Sequence, residues 1–100
     1  METEVGTERE RIRAALVEAS LTVRELSQKL SIAERDVVAA LPHVTRSAES
    51  AGDSFVVTPA DCAACGFVFR ERSRPGRPSR CPSCRATRVR PPRFRIEVAR

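Results

Sequence analysis

From Thr7 onward, apolar residues recur every three or four positions, the spacing of one face of a helix. Ile12, Ala15, Leu16 and Ala19 predict a first helix over residues 7–19, opened by Thr7-Glu-Arg-Glu10 in the form of a capping box. Ser20-Leu21 interrupts it. Thr22-Val-Arg-Glu25 repeats the box ahead of Val23, Leu26 and Leu30, the buried stripe of a second, short helix. Ser31-Ile32 makes a turn, and residues 33–41 predict a third helix with Val37, Val38 and Leu41 inward. Pro42 has no amide to give helix three but suits the first turn of another helix. Val44, Ala48 and Ala51 then predict a fourth over residues 42–51, with Gly52 as its C-cap.

Beyond Asp53-Ser54 the period shortens to two. Phe55-Val-Val-Thr58 is an extended run ended by Pro59. Phe67 and Phe69 fall on one side of a strand, with Val68, Arg70 and Arg72 on the other; Val89 faces in, while Arg88 and Arg90 face out. Phe94, Ile96 and Val98 alternate with Arg93, Arg95 and Glu97. Pairing this last run with the first buries Phe55 and Val57 beside Phe94 and Ile96. The chain therefore reads as α+β, a small helical bundle over residues 1–58 followed by a module of three short antiparallel strands over 59–100. That second part is near the size at which a core alone seldom suffices.

Cysteine supplies what the core lacks. All four cysteines fall in Cys62-Ala-Ala-Cys65 and Cys81-Pro-Ser-Cys84, with fifteen residues between the pairs, the spacing of a tetrathiolate zinc site. The two-residue insert lets both sulfurs of a pair converge on one ion while the following amides point at them. Gly66 suits the turn and Pro82 stiffens its counterpart. Disulfides need an oxidising compartment, and Met1-Glu-Thr-Glu-Val has neither the basic nor the apolar part of a secretory leader. One redox pair at a strand-to-helix junction does not come as two matched pairs. Iron competes, because both pairs resemble rubredoxin knuckles. Rubredoxins tend to be acidic and aromatic, whereas this segment is basic and the chain has no Trp or Tyr, which favours zinc.

Charge is segregated along the 100 residues. Residues 1–60 carry seven Lys/Arg against ten Asp/Glu, and residues 61–100 carry eleven Arg against three acids. Arginine in place of lysine can reflect coding bias, but the segregation cannot, and a basic half suits nucleic acid or another polyanion. Arg70, Arg72, Arg88 and Arg90 on one hairpin face make a candidate phosphate-binding surface. Arg77 lies in a Pro/Gly-rich loop over residues 72–80, where Gly76-Arg77-Pro78 resembles the centre of an AT-hook without its first Arg.

Helices two and three, joined by a very short turn, have the form of a helix-turn-helix. The run from Thr22 to Leu30, then Ser31-Ile32, then Ala33 to Val37, resembles the tri-helical core of bacterial and archaeal winged-helix regulators. With Cys62-Ala-Ala-Cys-Gly-Phe-Val-Phe69, Cys81-Pro-Ser-Cys84 and Pro92-Arg-Phe-Arg-Ile96, residues 7–98 resemble a family of predicted transcriptional regulators, a helix-turn-helix domain fused to a zinc ribbon. The resemblance implies a DNA-binding regulator with one structural Zn²⁺ held by Cys62, Cys65, Cys81 and Cys84. In such regulators the third helix lies in the major groove, yet here it offers Arg35 between Glu34 and Asp36, a poor set for reading bases. Arg24, Gln28 and Lys29 on helix two are secondary candidates for phosphate contact.

Double-stranded DNA is the expected partner, in the cytoplasm, with neither membrane nor small-molecule substrate. No catalytic residue is expected. His43 is the single histidine and has no paired carboxylates or Gly-rich loop beside it. Two other readings stay open: an adaptor whose acidic helical half binds a protein partner or a second copy, and a rubredoxin-like electron carrier.

Overall fold

In the computed structural model, which describes residues 7–70 and 76–99, both expected capping boxes form. Thr7 caps α1 (Glu8–Glu18) and Thr22 caps α2 (Val23–Leu30); each threonine hydroxyl accepts the amide three residues on, and Glu10 or Glu25 returns the bond. Ser31 ends α2 in the left-handed region (φ 57°) and Ile32 is buried behind the turn. The next helix, α3 (Glu34–Ser50), runs through Pro42 without a break.

The fourth helix expected from Pro42 is thus the second half of the third. Val37, Leu41, Val44 and Ala48 lie at the spacing of one continuous face, and all four are buried between α1 and α2. Stopping at Leu41 and restarting at Pro42 would swing Val44 and Ala48 off that face. Pro42 sits on the exposed side of the helix, where its ring packs against no core residue, and its missing amide costs one helical bond to the Val38 carbonyl. One turn on, the Thr45 hydroxyl donates to the Leu41 carbonyl at 2.9 Å.

The expected strand pairing is present. β1 (Ser54–Thr58) runs antiparallel to β4 (Arg93–Glu97), with Phe55 opposite Ile96 and Val57 opposite Phe94. Leu21 flanks β4 on its other side, exchanging amide bonds of 2.9 and 2.8 Å with Phe94. Phe94 and Ile96 therefore join Ile12, Leu16 and Leu26 in the helical core, with Phe55 packed at its margin. Val57 was expected inward but is 49% exposed, because the helices cover the Phe55 end of β1 and stop short of Val57. Val98 lies beyond the paired residues and is also exposed.

Residues 59–92 form an excursion between these two neighbouring strands. The segments divided at residue 58 are tied together, since β4 from the second completes the sheet of the first. Within the excursion, β2 (Asp61–Cys62) pairs with β3 (Val89–Arg90) around a second small core of Cys62, Cys81 and Val89. Among the described residues the strand expected through Phe67 and Phe69 is reduced to one bridge, Asp61 to Val68, and β2 pairs with β3 in its place. The turn at the first cysteine pair brings the chain back beside Ala60–Cys62, where the Phe67 carbonyl accepts the Cys62 amide and the Phe69 amide donates to the Ala60 carbonyl on either side of that bridge. Phe67 stays exposed, its ring edge-on to Phe69 at 5.1 Å. Among the described residues no helix is long and apolar enough to cross a membrane.

Candidate metal centre and basic surface

Both cysteine pairs fold into the same turn. The Gly66 amide donates to the Cys62 carbonyl at 2.8 Å and the Arg85 amide to the Cys81 carbonyl at 2.8 Å. One residue on, the carbonyls of Phe67 and Ala86 accept the amides of Cys62 and Cys81. Both turns place their closing residue in the left-handed region, Gly66 at φ 83° and Arg85 at φ 65°. Glycine takes that conformation freely, whereas arginine bears the strain of its Cβ. Inside the turns, amides aim at sulfur: Ala64 N lies 3.3 Å from Cys62 Sγ and Ser83 N lies 3.4 Å from Cys81 Sγ.

The four sulfurs lie within 4.8 Å of one another, with Cys62 and Cys84 3.6 Å apart and Cys65 and Cys81 3.7 Å apart. A tetrahedral ion with Zn–S bonds of about 2.3 Å needs sulfurs about 3.8 Å apart, so the cluster fits without rearrangement. Protonation chemistry agrees. The Cys65 and Ala64 amides hold the Cys62 thiol down to about 7, against burial. At Cys84 the Ala86 amide pulls the same way, but the neighbouring sulfur of Cys62, burial, and the other two sulfurs push it up to about 12. Four thiolates share this space only with a cation among them. Cys62, Cys65, Cys81 and Cys84 are the ligand set of one structural zinc ion, whose coordination shell they fill. Cys62 and Cys81 form the buried floor, and Cys65 and Cys84 the exposed rim.

The arginine face expected on the hairpin is only partly assembled. Arg70 and Arg88 are exposed, and Arg72 lies outside the described residues. Arg90 is not a free cation: its guanidinium makes a two-pronged pair with Asp61 at 2.8 and 2.6 Å, across the β2–β3 register that places them opposite. That pairing holds the Asp61 carboxyl below the usual carboxylate range and raises Arg90. Arg77 is exposed and reaches the Thr87 carbonyl at 3.4 Å. On the helical side Arg24, Gln28, Lys29 and Arg35 are all exposed, with Glu34 and Asp36 exposed on either side of Arg35.

Two basic side chains have roles that the pattern of charge along the sequence does not signal. Arg93 ties the halves together, donating to the Ser20 carbonyl at 2.7 Å and to Glu25 at 3.0 Å. Arg46 extends the exposed side of α3, and only the uninterrupted helix puts it there; its signal was the continuous apolar register across Pro42.

Comparison with known proteins finds two family matches in tandem. Residues 7–56 match the family described as PF0610-like, N-terminal, and residues 59–99 match the PF0610 rubredoxin-like zinc beta-ribbon domain. Among solved structures the chain is similar to the solution NMR structure of protein PF0610 from Pyrococcus furiosus. That likeness has a TM-score of 0.77 and 28% identity, covering 99% of this chain and 98% of that one. No curated protein matches.

Proposed function

This chain belongs to the PF0610-like family, and on that premise we propose that it is a DNA-binding transcriptional regulator of the cytoplasm, non-enzymatic, with a structural zinc ribbon. One arrangement carries the reading. α2 and α3, joined by a three-residue turn as in a helix-turn-helix, are backed by the small sheet of Leu21, β4 and β1. The zinc module projects from that sheet at the position a winged helix gives to its wing, and bears the exposed Arg70, Arg77 and Arg88. Such side chains fix a protein on the phosphate backbone, where no base identity is needed. With four sulfurs in its shell the metal shapes the module and has no position for a substrate.

The start of α3 favours a second reading. Glu34 and Asp36, exposed beside Arg35, repel phosphate at the site where a recognition helix meets the groove, and suit a protein adaptor or a helical dimer instead. A salt-dependent titration of the zinc-loaded chain with duplex DNA decides between them. The DNA reading expects log affinity to fall linearly with log salt, and Arg70→Ala with Arg88→Ala to flatten the slope by roughly 2. No duplex binding at low salt leaves the adaptor. Metal analysis that finds iron, with visible absorption, would instead point to an electron carrier.

A further inference from the structure

Although the helical half is acidic in total, its charge is not evenly spread. Between α1 and the middle of α3 lie two adjoining hollows that share Thr7, Arg9 and His43. The inner one, about 350 Å³, is lined by Arg9, Arg13 and Arg46 against a single carboxylate, Glu10. That carboxylate is engaged, accepting the Thr7 amide at 3.1 Å within the capping box. The remaining acids on this side, Glu8 and Asp36, line the outer hollow. Resting on the DNA-binding reading above, we propose that the groove formed by Arg9 and Arg13 of α1 and His43, Arg46 and Ser47 of α3 binds the phosphate backbone of a DNA duplex.

The donors are already arranged for an anion. Arg46 Nη2 lies 3.1 Å from His43 Nδ1, and because a guanidinium only donates, Nδ1 is the acceptor of that contact. Arg13 donates to Ser47 Oγ at 2.9 Å, so that hydroxyl accepts there, and among the described residues it donates to no other group. Arg13 is otherwise balanced by Asp53 at 3.0 Å, whereas Arg9 and Arg46, both exposed, form no ion pair among the described residues and supply the remaining positive charge. The imidazole registers this field: the charge of Arg9, then burial, then Arg46 hold His43 below its ordinary value despite Glu8, Glu10 and Asp36 nearby.

The unbroken α3 makes this surface continuous with the expected DNA side. Arg35 and Arg46 are eleven residues apart, three turns, and so share a face at a separation of about 16 Å. Between them the face carries the exposed Ala39 and Pro42, which are short and uncharged and leave room for a backbone strand. Phosphate lies at the Arg46 end, in the hollow that Asp36 does not line.

His43, as the one histidine, gives this groove its own NMR signal in the full, zinc-loaded chain. The probes are a short duplex and inorganic phosphate, with affinity followed in parallel by fluorescence anisotropy. On duplex binding the His43 imidazole resonances should move and its titration midpoint should rise. Arg9→Ala with Arg46→Ala should weaken the duplex on the order of tenfold and flatten the salt slope by roughly 2, with the remaining amide spectrum unchanged. Duplex binding that leaves His43 unmoved and is indifferent to the double substitution overturns this groove while sparing the ribbon as a DNA surface. A His43 response to phosphate but not to a bound duplex overturns it in favour of a small-anion site. No duplex binding at all overturns both readings.

Discussion

Removing the metal should unfold residues 60–91 and leave the strands on either side of them paired. Apart from its sulfurs, the ribbon core holds Val89, 4% exposed, with Phe69 and Ala86 partly buried against it. Burying a valine contributes about 1.5–3 kcal/mol. That is far less than the conformational entropy lost when the module orders. Zinc, at about 10 kcal/mol or more of apparent binding free energy, decides whether this module folds. β4 stands differently. Phe94 and Ile96, 5% and 3% exposed, are buried in the helical core and together contribute about 3–6 kcal/mol. Closing β1 onto β4 across a disordered loop of roughly 30 residues opposes that by about 3 kcal/mol. The sheet should therefore persist, with the helical unit melting on the order of 10–20 °C lower than in the zinc-loaded chain. Amide hydrogen exchange read by NMR, before and after a strong chelator, is the assay. Loss of protection in Phe55 and Phe94 together with the ribbon would refute the separation, and a ribbon that keeps its dispersed amides would refute the role given to zinc.

The left-handed Arg85 occupies the position Gly66 fills in the other turn, so Arg85→Gly should stabilise the loaded ribbon by about 1 kcal/mol, seen as roughly fivefold tighter zinc in chelator competition. Gly66→Ala should act oppositely through backbone strain alone, because the added Cβ meets no atom within 4 Å. Thr22→Ala should lower the urea midpoint by the equivalent of about 1–2 kcal/mol, since this cap is buried and its box also anchors Arg93; a neutral result would mean the box does not hold α2. Asp53 is held below the usual carboxylate range by the Ala99 amide and, against burial, by Arg13. Its stabilisation is therefore full above the unfolded value of about 3.9 and is lost as pH falls through the lower folded value. Arg13→Ala should raise the Asp53 midpoint in a carboxyl NMR titration, and an unmoved midpoint would leave the amide as sole cause.

The features legible in the residues are those that local geometry decides. A threonine three positions before a glutamate closes its capping bonds whatever surrounds it, and both boxes formed as the pattern predicts. Two cysteine pairs with two-residue inserts turn the same way and present four sulfurs, so the metal centre was readable in full. The pairing of residues 55–58 with the last strand was readable too, because only those two runs could cover each other. Charge segregation was visible, but the counts could not tell a free guanidinium from one engaged with a carboxylate. Asp61 lies 29 residues before Arg90, and nothing short of the strand register brings them together.

Where covering by distant elements decides, tertiary structure had the last word. Pro42 is a local stop signal, yet the face shared by Val37, Leu41, Val44 and Ala48 against α1 and α2 carries one helix through it, and that brings Arg46 toward Arg9. Val57 has the same strand propensity as Phe55 and differs only in lying past the edge of the helical layer. Dihedral preferences, caps and metal-ligand spacing act within a few residues and are written in the chain itself. Which face is buried, which charge is paired and which groove collects arginines depend on segments tens of residues apart, and those emerge only when the chain has packed.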